Sequence, residues 1–202
     1  MKIIVITSPD FIAGEVSLIH QLFDAGIDRI HIRKPQASED EVRGLIEGID
    51  GKWHNRLSLH DHHRLALEYG CGIHLNGRNP YPPKDTEKDL VISASCHSVE
   101  EVETRKAKCD YVFMSPIFDS ISKHGYTAAY SHDELKEAFA KGIIIDKKVI
   151  ALGGITPKHI PWLETLGFGG AALLGHVWQQ AKNGLFGSPL DAIFNGYVKP
   201  EH

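Results

Sequence analysis

Polar residues and glycines recur along the chain directly after short apolar runs. They are Thr7-Ser8-Pro9-Asp10, His31-Ile32-Arg33-Lys34, His60-Asp61, His74-Leu75-Asn76, Ser95-Cys96-His97, Ser115-Pro116-Ile117-Phe118, Gly153-Gly154-Ile155 and Leu174-Gly175-His176. The chemistry these groups suit best is the binding of a small anion. Gly153, Gly154 and Gly175 leave backbone N–H groups open to close approach by a phosphate, and a helix starting just after them adds a favourable dipole. Taken alone, Gly153-Gly154 serves equally well as a tight turn from strand to helix. Arg33 at the end of an extended run suits bidentate phosphate capture, although a lone Arg-Lys pair is also an ordinary surface feature. Residues 119–125 bring Ser120, Ser122 and Lys123 together in a segment able to wrap an anion and exclude water. A solvated, hydroxyl-rich loop is the commoner role for so short a motif.

Asp61 stands among His60, His62 and His63. One carboxylate together with substrate phosphates is the usual way to hold Mg²⁺, whereas the same aspartate before a helix caps its N-terminus. A histidine-rich zinc site is disfavoured, because His60 and His62 on an extended segment face opposite sides. His74 is expected to be a hydrogen-bonding residue at a strand end rather than a ligand. Cys71, Cys96 and Cys109 are isolated and odd in number, which leaves neither a disulfide framework nor a CxxC zinc knuckle.

These groups need elements to carry them. β-Branched apolar runs at 3–7, 29–33, 57–60, 72–75, 91–95, 111–114, 149–152 and 171–174 read as strands. Amphipathic stretches at 16–25, 39–49, 99–106, 132–140 and 159–166 read as helices between them. Ser38, Ser98, Ser131 and Thr156-Pro157 supply start signals. The segment 76–89, rich in proline and charge, replaces one helix by a loop. Strict alternation predicts parallel strands with crossover helices. An open doubly wound sheet alternates in the same way, but a count near eight favours closure into a small (β/α)8 TIM barrel. One domain spans 1–198, with 199–202 a tail in which Glu201-His202 resembles the start of a tag.

Composition narrows the function classes. The chain has 202 residues, 42% hydrophobic and 24% charged, which is ordinary globular usage, and a formal charge of −4. With a pI near 6.3, no basic face is available for a nucleic-acid backbone. No apolar run approaches the ~18 residues of a membrane span, and the opening MKIIVITSPDF is too short and too soon interrupted to read as a signal peptide. A cytoplasmic location is expected; a homo-oligomer is compatible with the sequence.

The motifs, in order, resemble the thiamine-phosphate synthase and TenI superfamily of barrels. IVITSPD resembles its opening strand, HIRKPQASE its Gln-x-Arg-x-Lys segment, and HDHHRLALEYGCGIHL its Asn-Asp-Arg-x-x-Leu-Ala segment, with ISASCHSVEEV, DYVFMSPIFDSISK and IALGGITPKHI following. The resemblance implies a transferase that joins hydroxymethylpyrimidine diphosphate to thiazole phosphate and releases pyrophosphate, with Mg²⁺ as cofactor and phosphorylated pyrimidine and thiazole molecules as partners. By position it assigns Arg33, Ser95 and Lys123 to the pyrophosphate, with Lys34 joining them by a shift of one residue, and Asp61 with Asn79 to the metal. Ser120 and Ser122 stand for loop threonines, Gly154, Leu174 and Gly175 receive the thiazole phosphate, and His31 and His60 occupy substrate-binding positions.

The pattern also departs from the family. His31 replaces Gln, Pro35 falls on the lysine, His60 replaces Asn and Asn79 replaces the second metal carboxylate; Lys34 is the lysine shifted by one residue. Two alternatives follow. One is a TenI-like aminothiazole tautomerase using His97 or His124, since Pro116 occupies that branch's histidine position. The other is a non-catalytic barrel that binds a phosphorylated ligand.

Overall fold

In a computed structural model, residues 1–86, 89–118, 130–140 and 144–182 are described. The β-branched runs form eight strands: β1 Lys2–Ile6, β2 Arg29–Ile32, β3 Leu57–Leu59, β4 Gly72–Leu75, β5 Ile92–Cys96, β6 Tyr111–Met114, β7 Val149–Leu152 and β8 Gly170–Leu173. Every neighbouring pair is parallel. β1 also pairs with β8, from Lys2 opposite Gly170 to Val5 opposite Leu173, and this last ladder closes the barrel. Closure excludes the open sheet.

The described helices are α1 Glu15–Asp24, α2 Glu39–Gly48, α3 His63–Tyr69, α4 Val99–Lys106, α5 His132–Ala140, α6 Ile160–Thr165 and α7 Gly175–Lys182. Short 3-10 turns lie at Gly51–Arg56 and Pro157–His159. The start signals act as caps. Ser38 and Glu41 form a reciprocal capping box on α2, and the Ser98 and Ser131 hydroxyls accept from the Glu101 and Glu134 backbone N–H groups. Such a cap contributes ~1 kcal/mol. Between β4 and β5 no helix occurs among the described residues, as the prolines of that segment require. No helix among the described residues is long and apolar enough to cross a membrane.

Side chains alternate in and out along each strand. Outward residues such as Ile3, Val5, Ile30, Ile32, Leu57 and Leu59 pack against Leu18, Ile19 and Leu22 of α1 and Val42 and Ile46 of α2. Each such burial is worth ~1.5–3 kcal/mol. Inside, the barrel is divided. Ile4, Ile6, Tyr111, Phe113, Ile150 and Ala172 make one apolar cluster, while β2 to β5 turn His31, Ser58, His74 and Ser93 inward, all fully buried. At the N-terminal end Arg29 closes the interior, donating to the Leu57 carbonyl at 2.7 Å, the Asn55 carbonyl at 2.8 Å and the Ser58 hydroxyl at 3.2 Å.

The turn after β7 is left-handed at two consecutive residues, with φ of 97° at Gly153 and 63° at Gly154. A Cβ on Gly153 would stand 2.8 Å from the Pro116 Cα, so the loops after β6 and β7 approach more closely than any side chain permits. Gly153→Ala should therefore destabilise the fold by about 1–3 kcal/mol. Gly44→Ala, inside α2 with open space around it, should stabilise it by roughly 0.5–1 kcal/mol. Denaturant unfolding of the two variants checks both signs.

Candidate active site

The C-terminal strand ends surround a cavity of 510 Å³. Its walls include Arg33, His60, Arg78 and Ser95 on one side and Gly153, Gly154, Leu174 and Gly175 on another. At the glycine side the left-handed turn exposes bare backbone, and α7 begins at Gly175. The Trp178 indole donates to the Ile6 carbonyl at 2.6 Å, which fixes α7 against β1. Backbone free of side chains beside a helix N-terminus is a physical match for a phosphate.

The floor is a buried histidine network. His31 Nδ1 lies 3.0 Å from His60 Nε2, and His31 Nε2 lies 2.6 Å from the Tyr111 hydroxyl. His74 sits between the Ser93 and Ser95 hydroxyls at 2.8 Å each, so it is the strand-end hydrogen-bonding residue expected of it. Burial pushes all three imidazoles below their ordinary range, His74 to about 3. Nearby arginines, and the neighbouring imidazoles were they to charge, act in the same direction: His74 and Arg29 on His31, and His74, His31, Arg33 and Arg78 on His60. Neutral imidazoles each donate once and accept once. For Ser95 to give its own proton to an anion, His74 must hold its proton on Nε2, with Ser93 donating to Nδ1.

The donor atoms of His31, His60 and His74 all lie within 4.8 Å of one another, the one such three-residue group among the described residues. They do not form a zinc cage. The His60 and His74 rings are stacked at 4.0 Å with planes 24° apart. Their in-plane lone pairs run side by side, whereas zinc needs them to converge at about 2.0–2.1 Å.

Arg33 and Lys34 follow one another on extended chain and face opposite ways. Arg33 reaches the cavity, with its backbone N–H held by the Thr7 hydroxyl at 2.9 Å. Lys34 does not, which corrects the expectation that it replaces the missing lysine. It is 1% exposed, and its ammonium donates to Glu15 at 2.7 and 2.8 Å and to the Ser8 and Asp10 carbonyls at 2.9 Å, with the Phe11 ring 4.6 Å away. Burial pushes Glu15 up and Lys34 down, each opposed by the other's charge. Lys34 therefore clamps the β1–α1 connection. His31 is a second correction: it is fully buried and bears on the cavity through His60 and His74 rather than directly.

Asp61 and Asn79 do come together, with Asn79 Nδ2 3.1 Å from Asp61 Oδ1. Asp61 does not cap α3, whose N-cap is His62 in a left-handed conformation; the His62 ring turns outward to the Ala37 carbonyl at 2.9 Å. The carboxylate is instead gripped by Arg78, Nε and Nη2 to Oδ1 at 3.1 and 2.9 Å and Nη2 to Oδ2 at 3.0 Å. Asn79 also donates to the His60 carbonyl at 3.1 Å, so its amide hydrogens, not its oxygen, face this cluster. Mg²⁺ demands oxygen ligands in near-octahedral array. As arranged, these residues do not fit it. Ser120, Ser122 and Lys123, together with His124, lie outside the described residues. Leu174 and Gly175 line the cavity as expected. Sequence reasoning missed Arg78, whose only signal was a cation inside the loop that breaks the helix–strand alternation.

Fold and cavity together define a closed (β/α)8 barrel with an anion-suited pocket at its C-terminal face, the face that carries the active site in enzymes of this architecture. A family model described as thiamine monophosphate synthase matches residues 3–177, and the chain belongs to that family. Thiamine-phosphate synthase of Salmonella paratyphi A is 24% identical over 179 residues, covering 84% of this chain and 83% of that protein. The enzyme of that name from Photorhabdus laumondii is 24% identical over 184 residues, covering 84% of each. Among solved structures, thiamine phosphate pyrophosphorylase of Bacteroides thetaiotaomicron superposes with a TM-score of 0.79 and 44% identity, covering 89% of this chain and 86% of that one. The Pyrococcus furiosus protein of the same name gives a TM-score of 0.66 at 21% identity over 87% and 86%, a likeness of fold.

Two measurements check this site. The three imidazoles have folded pKa values below the ordinary 6.5, so the unfolded chain binds more protons below that pH. Their stabilising contribution is complete above pH 6.5 and is lost as the pH falls toward about 3, where His74 protonates in the fold. Three such groups give a slope of up to about 4 kcal/mol per pH unit. Unfolding free energies at pH 7 and 5 should show it, and a His31→Gln/His60→Asn double variant should lose most of it. Lys34→Met should cost about 3–5 kcal/mol by stranding the buried Glu15 carboxylate, with much of that recovered in Lys34→Met/Glu15→Leu. An unchanged melting temperature would reject the clamp.

Proposed function

We propose that the protein is a thiamine-phosphate synthase-like transferase of thiamine biosynthesis, joining hydroxymethylpyrimidine diphosphate to thiazole phosphate with release of pyrophosphate. The observation that carries this is a single cavity with two different anion-suited ends, the glycine turn with the α7 start and the Arg33 side. Two phosphorylated molecules that must meet need such a pair of ends.

In this reading Gly154, Leu174 and Gly175 hold the thiazole phosphate through backbone, which fixes the nucleophile without competing side-chain charge. Arg33 and Ser95 receive the diphosphate, and Lys123, Ser120 and Ser122 join them as the family resemblance assigns. The bond from the pyrimidine's methylene carbon to the diphosphate oxygen breaks as that carbon bonds to the thiazole. The departing pyrophosphate takes the bond's electron pair, and stabilising that developing charge is the main catalytic task. His60, neutral at the floor, offers the pyrimidine a hydrogen-bonding edge without placing a positive charge beside an electron-deficient carbon.

Incubating the purified protein with both phosphorylated substrates and measuring thiamine phosphate and pyrophosphate tests the reading directly. Equimolar formation of the two is expected. Arg33→Ala should lower turnover roughly 10²–10³-fold, the scale of losing one donor to a developing anion. Ligand-induced thermal stabilisation with no product would instead favour a binding role, and isomerisation of the aminothiazole a tautomerase.

A further inference from the structure

Arg78 sits where a metal-bound mechanism would want its cation. The carboxylate that would anchor Mg²⁺, Asp61, has three hydrogen bonds from Arg78 and one from Asn79, three of the four ending on Oδ1. The Asp61 side chain is 16% exposed and that of Arg78 52%, so the guanidinium is the outer member of the pair and lines the cavity beside Arg33. A metal could enter only by breaking the whole fork and rotating Asn79, whose amide is held the wrong way by the His60 carbonyl.

The turn that carries Arg78 is itself pinned. Asn76 and Asn79 exchange backbone hydrogen bonds at 3.1 Å, and the Asn76 side chain accepts the Arg78 backbone N–H at 2.9 Å while donating to the His60 carbonyl at 2.6 Å. The orientation of this arginine is thus prepared on folding rather than on binding. Its Nε and Nη2 are spent on Asp61. Nη1 meets no acceptor among the described residues and is left to donate to an anion in the cavity.

We propose that Arg78, anchored by Asp61, takes the place of the divalent cation, and that the chain binds pyrophosphate without metal between the Arg33 and Arg78 guanidiniums. The inference rests on the transferase reading for the identity of the anion. A carboxylate-anchored guanidinium does part of what a carboxylate-anchored metal does: its fork is fixed on Asp61, and it presents the remaining nitrogen, Nη1, with its positive charge to phosphate oxygens. The single positive charge is the weaker field, and this predicts an enzyme that releases pyrophosphate readily.

The test is calorimetric titration of the purified protein with inorganic pyrophosphate, in EDTA and in Mg²⁺ at matched ionic strength. Mn²⁺ binding is followed in parallel by electron paramagnetic resonance. Wild type should bind pyrophosphate in EDTA and leave Mn²⁺ free. Arg78→Ala should lose roughly ten-fold or more in EDTA, as expected for removing a charge-assisted hydrogen bond, and should gain Mn²⁺ binding at the released Asp61; Arg78→Lys, which keeps the charge, serves if the alanine variant does not fold. Pyrophosphate binding by wild type that requires Mg²⁺, with Mn²⁺ bound, would overturn the proposal while sparing the transferase reading. No pyrophosphate binding under either condition would overturn both.

Discussion

The interior of this barrel depends on keeping three histidines neutral. His31 in β2, His60 just after β3 and His74 in β4 bring their rings within 5.2 Å of one another, centre to centre. Protonating any one would bury a charge beside two others with no carboxylate among them. Neutrality in turn forces an ordered chain of donors and acceptors through Tyr111, Ser93 and Ser95, because each imidazole has one proton to give. The network fixes the height of the cavity floor and the direction of His60 and Ser95. Half of the interior is therefore built by polar satisfaction, and the other half, around Ile4, Ile6 and Phe113, by apolar filling.

Positive charge reaches the cavity by a different route. Arg33 follows a strand, and the period of two sends it inward and Lys34 outward. Lys34 then meets Glu15 and two carbonyls in a buried clamp that a shift of one residue would destroy. The same alternation that turns Arg33 to the cavity thus removes Lys34. Arg78 arrives on a loop held by Asn76 and Asn79 and is oriented by Asp61, 17 residues away in sequence. Arg33 is held through its backbone N–H by Thr7, and Arg78 through its side chain by Asp61.

Much of the fold was legible because it rests on local pattern. Strands 72–75, 111–114 and 149–152 coincide with β4, β6 and β7, and helices 99–106 and 132–140 with α4 and α5. The remaining strand ends move by about a residue because the ladder, not composition, sets them: Thr7 still donates to the His31 carbonyl just beyond β1. α3 and α7 are short and open without a capping side chain that accepts from their backbone, so periodicity had little to act on. In the site, glycines and Arg33 were readable from their place after strands. The Arg78–Asp61 fork was not, since it joins two loops through tertiary approach and leaves no spacing rule behind. The histidine triad was equally hidden, because its members are separated by 29 and 14 positions and converge only once β2, β3 and β4 align.

The two ends of the cavity differ in how they hold charge, and that difference constrains how the site can change. At the glycine end the binding groups are backbone, so side-chain substitution can abolish the site but can hardly retune it; Gly153 leaves no room for a Cβ against Pro116. At the arginine end the charge belongs to side chains whose orientation is set by Asp61, Asn76 and Asn79, and single replacements can exchange one cation for another. An asparagine in place of a carboxylate at position 79 removes a negative charge that a metal would need, and the arginine beside it supplies a positive charge that the anion needs. On the proposal made above, the Asn79 amide and the Arg78 guanidinium act together on the one carboxylate of Asp61. Around Asp61, positions 78 and 79 therefore form one charge arrangement, in which a change at either alters what the carboxylate can hold.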